Sequence, residues 1–200
     1  MIQGVIFDYG NVLSATRDMQ PRAAWEQKLG LQAGELDRTV HNDHSWVEAQ
    51  CGRIGVDAYW QGIGNELHLT SDDVERLRTD FYRGDIRNDA LVARIDAMRQ
   101  AGLRLGILSN FSRELWALLE QQDLRHRFDA IAVSADIGVM KPAPAAYHAI
   151  LKMLSLPPEA CLFIDDLPGN IAAAQALGLS GIVFRDHPSC LAEIDRRLHL

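Results

Sequence analysis

Four places in this chain set chemically competent side chains after short apolar runs. Asp8 follows Val5-Ile6-Phe7, Ser109-Asn110 follows Gly106-Ile107-Leu108, Lys141 lies beyond Ala130-Ile131-Ala132-Val133, and Asp165-Asp166 follows Leu162-Phe163-Ile164. Taken singly, each has an ordinary explanation: an Asp or Asn after a strand is a turn residue or a helix cap, and Lys141 is a solvated loop lysine. Together they bring three carboxylates, a hydroxyl, an amide and an ammonium to one rim. That set meets the needs of phosphoryl transfer. A carboxylate nucleophile attacks phosphorus, and a cation must first screen two anions from each other. An ammonium and a hydroxyl hold the remaining phosphoryl oxygens. On this reading Asp8 attacks, Asp8 and Asp166 hold Mg²⁺, and Lys141 and Ser109 clamp the phosphate. Asp165 is either a further ligand or an acceptor that supports the others.

The elements that must position these groups are legible as five parallel strands at 4–8, 103–109, 130–133, 161–165 and 181–184. Helical patterns lie between the later ones at 114–121, 145–154 and 170–177. Pro144 opens one of them, and Gly102 and Gly178 punctuate the returns to the sheet. Such alternation predicts an α/β fold with a doubly wound, Rossmann-like parallel sheet, whose carboxyl edge is where ligands collect. The first crossover breaks the rhythm, because the chain runs from Asp8 to Leu103 before the next strand. Residues 23–29, 47–50, 56–62 and 74–82 carry helical spacing, and the segment holds Trp25, Trp46 and Trp60. It is expected to be a helical cap over 16–86 with its own apolar core. Residues 1–15 and 87–200 form the catalytic core.

Hydrophobic residues make up 48% of the 200-residue chain and charged residues 24%, enough for a sizeable core. A net charge of −7 argues against nucleic acid as a partner, which would require a basic face. Three widely spaced cysteines, Cys51, Cys161 and Cys190, form no disulfide or zinc pattern, and Cys161 is expected in the core. There is no apolar run long enough for a membrane helix and no basic leader before the first strand, so a cytoplasmic protein is expected.

The order of these residues resembles the haloacid dehalogenase superfamily of phosphohydrolases. The matching motifs are Phe7-Asp8-Tyr9-Gly10-Asn11-Val12, Leu108-Ser109-Asn110, Lys141-Pro142 and Phe163-Ile164-Asp165-Asp166-Leu167-Pro168-Gly169-Asn170. The last is similar to the branch containing bacterial sugar-phosphate phosphatases and the amino-terminal domain of soluble epoxide hydrolases. The resemblance implies a cap inserted after the first strand. It also implies Mg²⁺ on Asp8, Asp166 and the backbone carbonyl of Gly10, with Asp165 and Asn170 behind them and Ser109, Asn110 and Lys141 on the phosphate.

One position departs from the family pattern. Gly10 stands where the family places an acid/base aspartate, a group worth roughly 10²- to 10⁴-fold in rate. Asn11 does not titrate and cannot replace it. Three outcomes follow: a leaving group that departs without much protonation, such as an acyl, aryl or anomeric phosphate; a proton from water or the cap; or a slow enzyme kept for binding. The glycine variant occurs in active-looking members of the branch. The expected function is a Mg²⁺-dependent phosphatase acting on a small phosphorylated metabolite, a sugar phosphate among the candidates. The alternatives are a weakly catalytic binding or regulatory protein and a 2-haloacid dehalogenase, the latter disfavoured by the paired aspartates. Closure by the cap favours a small molecule.

Several cap residues invite other roles. His41 and His44 could form a metal pair, but packed or surface histidines are expected. Tyr59 and Trp60 are expected in the cap core rather than in a pocket. Arg53 sits in a loop between cap helices where family members place specificity residues, and could meet a substrate anion. Arg185 and His187 are expected at the rim.

Overall fold

The apolar runs assemble into one parallel sheet, described here from a computed structural model covering residues 1–186 and 188–198. His187 lies outside the described residues. The chain opens with β1 (Gly4–Phe7) and β2 (Ser14–Thr16). Five helices follow: α1 (Gln20–Leu29), α2 (Glu35–Val40), α3 (Ser45–Gln50), α4 (Val56–Glu66) and α5 (Ser71–Arg83). Next come β3 (Asp85–Arg87), α6 (Asp89–Gln100), β4 (Arg104–Ser109), α7 (Leu115–Gln121) and β5 (Ala130–Val133). The chain ends with α8 (Ser134–Ile137), α9 (Pro144–Leu154), β6 (Cys161–Asp165), α10 (Pro168–Ala176), β7 (Ser180–Val183) and α11 (Pro188–Leu198). The five-stranded sheet has the order β5-β4-β1-β6-β7, and every pairing is parallel. The strands are buried on both faces, which is why they read as continuous apolar runs. Ile6, Leu108 and Phe163 pack under α9 and α10, whereas Val5, Phe7, Ile107 and Ile164 face the opposite layer.

Helices α2, α6, α8 and α11 add to those expected. Helix α6 had a readable signal: the Asn88 side chain accepts from Leu91 N, and Leu91, Val92, Ile95 and Met98 share the buried face. Helix α2 buries only Leu36 and Val40, too few for a periodic pattern.

The excursion after β1 leaves and returns through a short antiparallel ribbon, with Ser14 opposite Arg87 and Thr16 opposite Asp85. Gly84 permits this close return, because a Cβ there would lie 1.9 Å from Asp18 O. Between the ribbon strands, Trp60, Phe81 and Tyr82 pack edge-on with ring centroids 5.2–6.2 Å apart. The interior of this helical unit is not closed on itself as the sequence led one to expect. Trp46 and Tyr82 both reach Phe111 of the sheet domain, and Phe111 in turn meets Tyr9, next to Asp8. The cap interior and one face of the sheet form a single continuous apolar cluster. Gly52, in the left-handed region at φ 68°, lets the loop after α3 press onto α8, its hypothetical Cβ falling 2.1 Å from Ala135 O.

Candidate active site

The register of the sheet dictates which residues share its carboxyl edge. Phe7 pairs with Ile107 and with Ile164, so Asp8 and Asp165 emerge side by side, with Ser109 one residue further along β4 at the same edge. Asp8 N still donates to Ile164 O at 2.8 Å, and Tyr9 N turns back to donate to Asp8 Oδ1 at 2.7 Å. The nucleophile candidate is therefore held at the point where β1 separates its neighbours, the switch point of a doubly wound sheet.

Lys141 reaches this edge from the loop after α8. Its backbone is clamped by Asn110, whose Oδ1 accepts from Lys141 N at 2.7 Å and whose Nδ2 donates to Lys141 O at 2.8 Å. The ammonium, 3% exposed, bridges Asp8 Oδ1 at 2.8 Å and Asp165 Oδ2 at 2.7 Å. Asp165 is fully buried and its oxygens are committed: Asn170 Nδ2 donates to both at 3.0 Å and Leu167 N to Oδ1 at 2.8 Å. Asp166 is half-buried and faces the other way. Asn11 Nδ2 donates to its Oδ2 at 3.1 Å, and Arg185 Nη1 donates to its carbonyl at 2.8 Å.

Asp8, Asp165 and Asp166 each offer an oxygen within 4.8 Å of the others. One ammonium stands among three carboxylates, and burial pushes the Asp8 carboxyl above its ordinary range while Lys141 pulls it back. Such a surplus of hard oxygen ligands suits Mg²⁺. With Asp165 saturated by protein donors, Asp8 and Asp166 are the carboxylates that could hold it. Asp8 Oδ2 accepts no hydrogen bond among the described residues.

These groups floor a cavity of about 490 Å³ that the helical unit roofs. Gly10, Ser109 and Asn170 also line the floor. Arg22, Asp37, His41, Trp46, Tyr82 and Asp85 line the roof. Arg22, 6% exposed, donates to Phe81 O at 3.0 Å, Asp37 Oδ1 at 2.5 Å and Asp85 Oδ1 at 3.3 Å, and its guanidinium lies 3.9 Å from the Phe81 ring centroid. His41 Nδ1 lies 3.4 Å from Asp37 Oδ1, and Thr16 Oγ1 donates to Asp85 Oδ1 at 2.6 Å. Hydrogen bonding with His41 holds the Asp37 carboxyl below its usual range, whereas burial pushes Asp85 up.

All eight site residues expected from the sequence meet here, and none strays elsewhere in the fold. Asn110 differs in one respect: both ends of its amide are spent on the Lys141 backbone. Arg53 is exposed, pairs with Glu48 at 2.6 Å and does not line the cavity. His44 is exposed while His41 packs on Trp46 and Phe81, so they form no metal pair. Tyr59, Trp60 and Cys161 are buried as core residues. The roof residues Arg22, Asp37 and Asp85 carried no sequence signal, being lone charges on polar helices and a ribbon.

The profile of haloacid dehalogenase-like hydrolases matches residues 2–178. Protein CbbY of Rhodobacter capsulatus is 36% identical, over 89% of this chain and 83% of that protein. Sesquiterpene phosphatase astK of Aspergillus oryzae is 25% identical, over 96% of this chain and 94% of its own. Among solved structures, a family enzyme of Bacteroides thetaiotaomicron in complex with magnesium and inorganic phosphate superposes with a TM-score of 0.80. That match spans 96% of this chain and 99% of the other at 19% identity, a likeness of fold.

Proposed function

We propose that this chain, which belongs to the haloacid dehalogenase-like hydrolases, is a Mg²⁺-dependent phosphatase that works through an aspartyl-phosphate on Asp8. The observation that carries the reading is the buried Lys141 ammonium, 2.8 Å from Asp8 Oδ1, beside a second carboxylate pair at the same edge. Phosphatases among its relatives support the same reaction. Asp8, Asp166 and the Gly10 carbonyl would hold Mg²⁺, which supplies charge screening between the carboxylate and the phosphoryl group.

In the first step a carboxylate oxygen of Asp8 attacks phosphorus. The new P–O bond forms as the ester P–O bond breaks, and the leaving oxygen takes a proton from water. Lys141 and the Ser109 hydroxyl hold phosphoryl oxygens as charge shifts onto the leaving group. Water then attacks the same phosphorus, releasing inorganic phosphate and regenerating Asp8. Gly10 supplies no acid, so good leaving groups are favoured: acyl, aryl or anomeric phosphates. Among the described residues no helix is long and apolar enough to cross a membrane.

The test is phosphate release with Mg²⁺ or EDTA, for the wild type and Asp8→Asn, from acetyl, phenyl, hexose-1- and n-butyl phosphates. Turnover that requires Mg²⁺, falls by about 10⁴-fold or more in the variant and declines as the leaving group worsens is the expected result. Release that survives Asp8→Asn, or none from any ester, overturns the reading.

A further inference from the structure

Behind the floor of the cavity, two bridges join the segment that opens α9 to the segment that opens α10. The first is ionic, from Lys141 Nζ to Asp165 Oδ2 at 2.7 Å. The second is neutral: Tyr147 Oη, near the start of α9, donates to Asn170 O, near the start of α10, at 2.8 Å. The Asn170 side chain closes the figure, its Nδ2 donating to both Asp165 oxygens at 3.0 Å. Tyr147 is fully buried, and its ring meets Phe163 edge-on with centroids 5.5 Å apart. The Lys141 ammonium stands over the same Phe163 ring, 5.5 Å from its centroid. Among the described hydrophobic residues buried under α9 and α10, Tyr147 alone carries a hydroxyl. A phenylalanine would fill that space without the cost of desolvating an O–H. The hydroxyl therefore serves the Asn170 backbone that it meets. Burial, reinforced by the charges of Asp165 and Asp8, keeps it protonated and hence a donor.

We propose that Tyr147 is a positioning residue for the phosphatase reaction above, on which this role rests: its hydroxyl fixes Asn170, and through Asn170 and Asp165 it aims the Lys141 ammonium at Asp8. The Asn110 clamp places the root of the Lys141 side chain, and the Asp165 contact places its tip. Asp165 in turn is held by donors whose positions follow the start of α10, namely Leu167 N and Asn170 Nδ2. Removal of the phenol O–H frees that start to shift. The Asn170 amide and Asp165 shift with it, and the ammonium loses its register with the phosphoryl oxygens it is to hold. Misplacement of this kind is felt in the transition state more than in the binding of substrate.

The experiment uses Tyr147→Phe, which keeps the ring and deletes the hydroxyl, alone and combined with Asn170→Ala. With phenyl phosphate and Mg²⁺, kcat of Tyr147→Phe is expected to fall about 10-fold while KM changes by less than about 2-fold. In the Asn170→Ala background the same substitution is expected to change kcat by less than about 2-fold, since the link to Asp165 is already cut. A second readout needs neither metal nor turnover. The chain's lysines are Lys28, Lys141 and Lys152, of which Lys141 alone is buried, so its ammonium stands apart in a nitrogen-15 NMR spectrum. Exchange of those ammonium protons with water is expected to rise about 10-fold in Tyr147→Phe, and this measurement decides the matter if Asn170→Ala does not fold. Wild-type kcat in Tyr147→Phe, unchanged ammonium exchange, or an equal loss of kcat in both backgrounds (the mark of a packing residue) overturns this proposal and leaves the phosphatase reading standing. A wild-type protein that turns over no ester overturns the phosphatase reading instead, and this role with it.

Discussion

Two polar clusters face each other across one cavity, and they are built on opposite plans. The floor stands on strand ends whose positions follow from parallel register, and its side chains are cross-braced: Asn110 clamps the Lys141 backbone, Asn170 grips both Asp165 oxygens, and Asn11 reaches Asp166. The roof hangs on short helices and a ribbon only a few residues long, with one guanidinium joining carboxylates that enter from α2 and β3. The floor has surplus negative charge and wants a cation. The roof has largely neutralised itself through Arg22. The floor is placed where the backbone leaves little freedom, and the roof where loops and helices can vary.

The sharpest way to break this division is to disturb the floor at a residue the sheet does not bury. Asp166→Asn keeps the shape and the Asn11 contact while removing the charge proposed to hold Mg²⁺. We expect kcat/KM to fall by about 10²-fold or more, and the Mg²⁺ concentration for half-maximal rate to rise. Phosphate release titrated against Mg²⁺ reads both. An unchanged Mg²⁺ requirement would mean that Asp165, despite its three protein donors, is the working ligand.

Gly10 sharpens the comparison from the other side. A Cβ there would meet no atom within 4 Å, and its φ lies outside the left-handed region. The glycine is therefore not demanded by the backbone, and Gly10→Asp can supply the acid/base group that the floor lacks. An n-butyl ester should gain up to about 10²-fold in kcat, and phenyl or acetyl phosphate much less, because Brønsted assistance matters most for poor leaving groups. A uniform gain, or a loss across the whole panel, would show that protonation of the leaving group is not what limits turnover.

The same contrast governs how far the molecule could be read in advance. Strand ends announce themselves, since apolar runs stop and polar residues follow; Asp8, Ser109 and Asp166 were legible for that reason, and Lys141, in the loop after α8, only through the order of the motifs. Roof residues do not. Arg22, Asp37 and Asp85 lie far apart in sequence and sit among other charged residues, and only the return of β3 alongside β2 brings them together. Asn11 was dismissed because it cannot titrate; its value is as a donor to Asp166 from a left-handed turn at φ 56°, a conformation asparagine tolerates. The continuity of the cap and sheet interiors was equally hidden, because Phe111 looks like an ordinary loop residue until Trp46 and Tyr82 close on it.

That continuity has a polar counterpart in Glu114. It belongs to the sheet domain yet accepts from Trp60 Nε1 at 2.9 Å and from Arg78 Nε at 2.5 Å, both on the cap. Glu114→Ala leaves the buried Trp60 N–H without an acceptor. The expected destabilisation is about 1–3 kcal/mol, measured by urea unfolding. If floor and roof fold as one body, wild-type unfolding is a single transition and the variant shifts it whole. Two resolved transitions would separate the clusters into independently stable units.

The smallest effect divides the roof itself. Asp37 and Asp85 share Arg22, with His41 and Thr16 at their flanks, yet their carboxyls move in opposite directions from the ordinary value of 3.8. For Asp37 the folded-state pKa is lowered, chiefly by hydrogen bonding with His41. Its contribution to stability is complete above the ordinary carboxylate value and is lost as pH falls through the lower folded one. For Asp85 burial raises the folded-state pKa, so ionisation costs stability progressively as pH rises from the ordinary value through the folded one. Unfolding free energies of Asp37→Asn and Asp85→Asn, each subtracted from the wild type across the acidic range, should therefore slope in opposite senses. Screening at the half-exposed Asp37 keeps its share below about 1 kcal/mol. Parallel slopes would mean that Arg22 serves both carboxylates alike. The roof would then be a symmetric clamp, without one carboxylate favoured and one penalised by its surroundings.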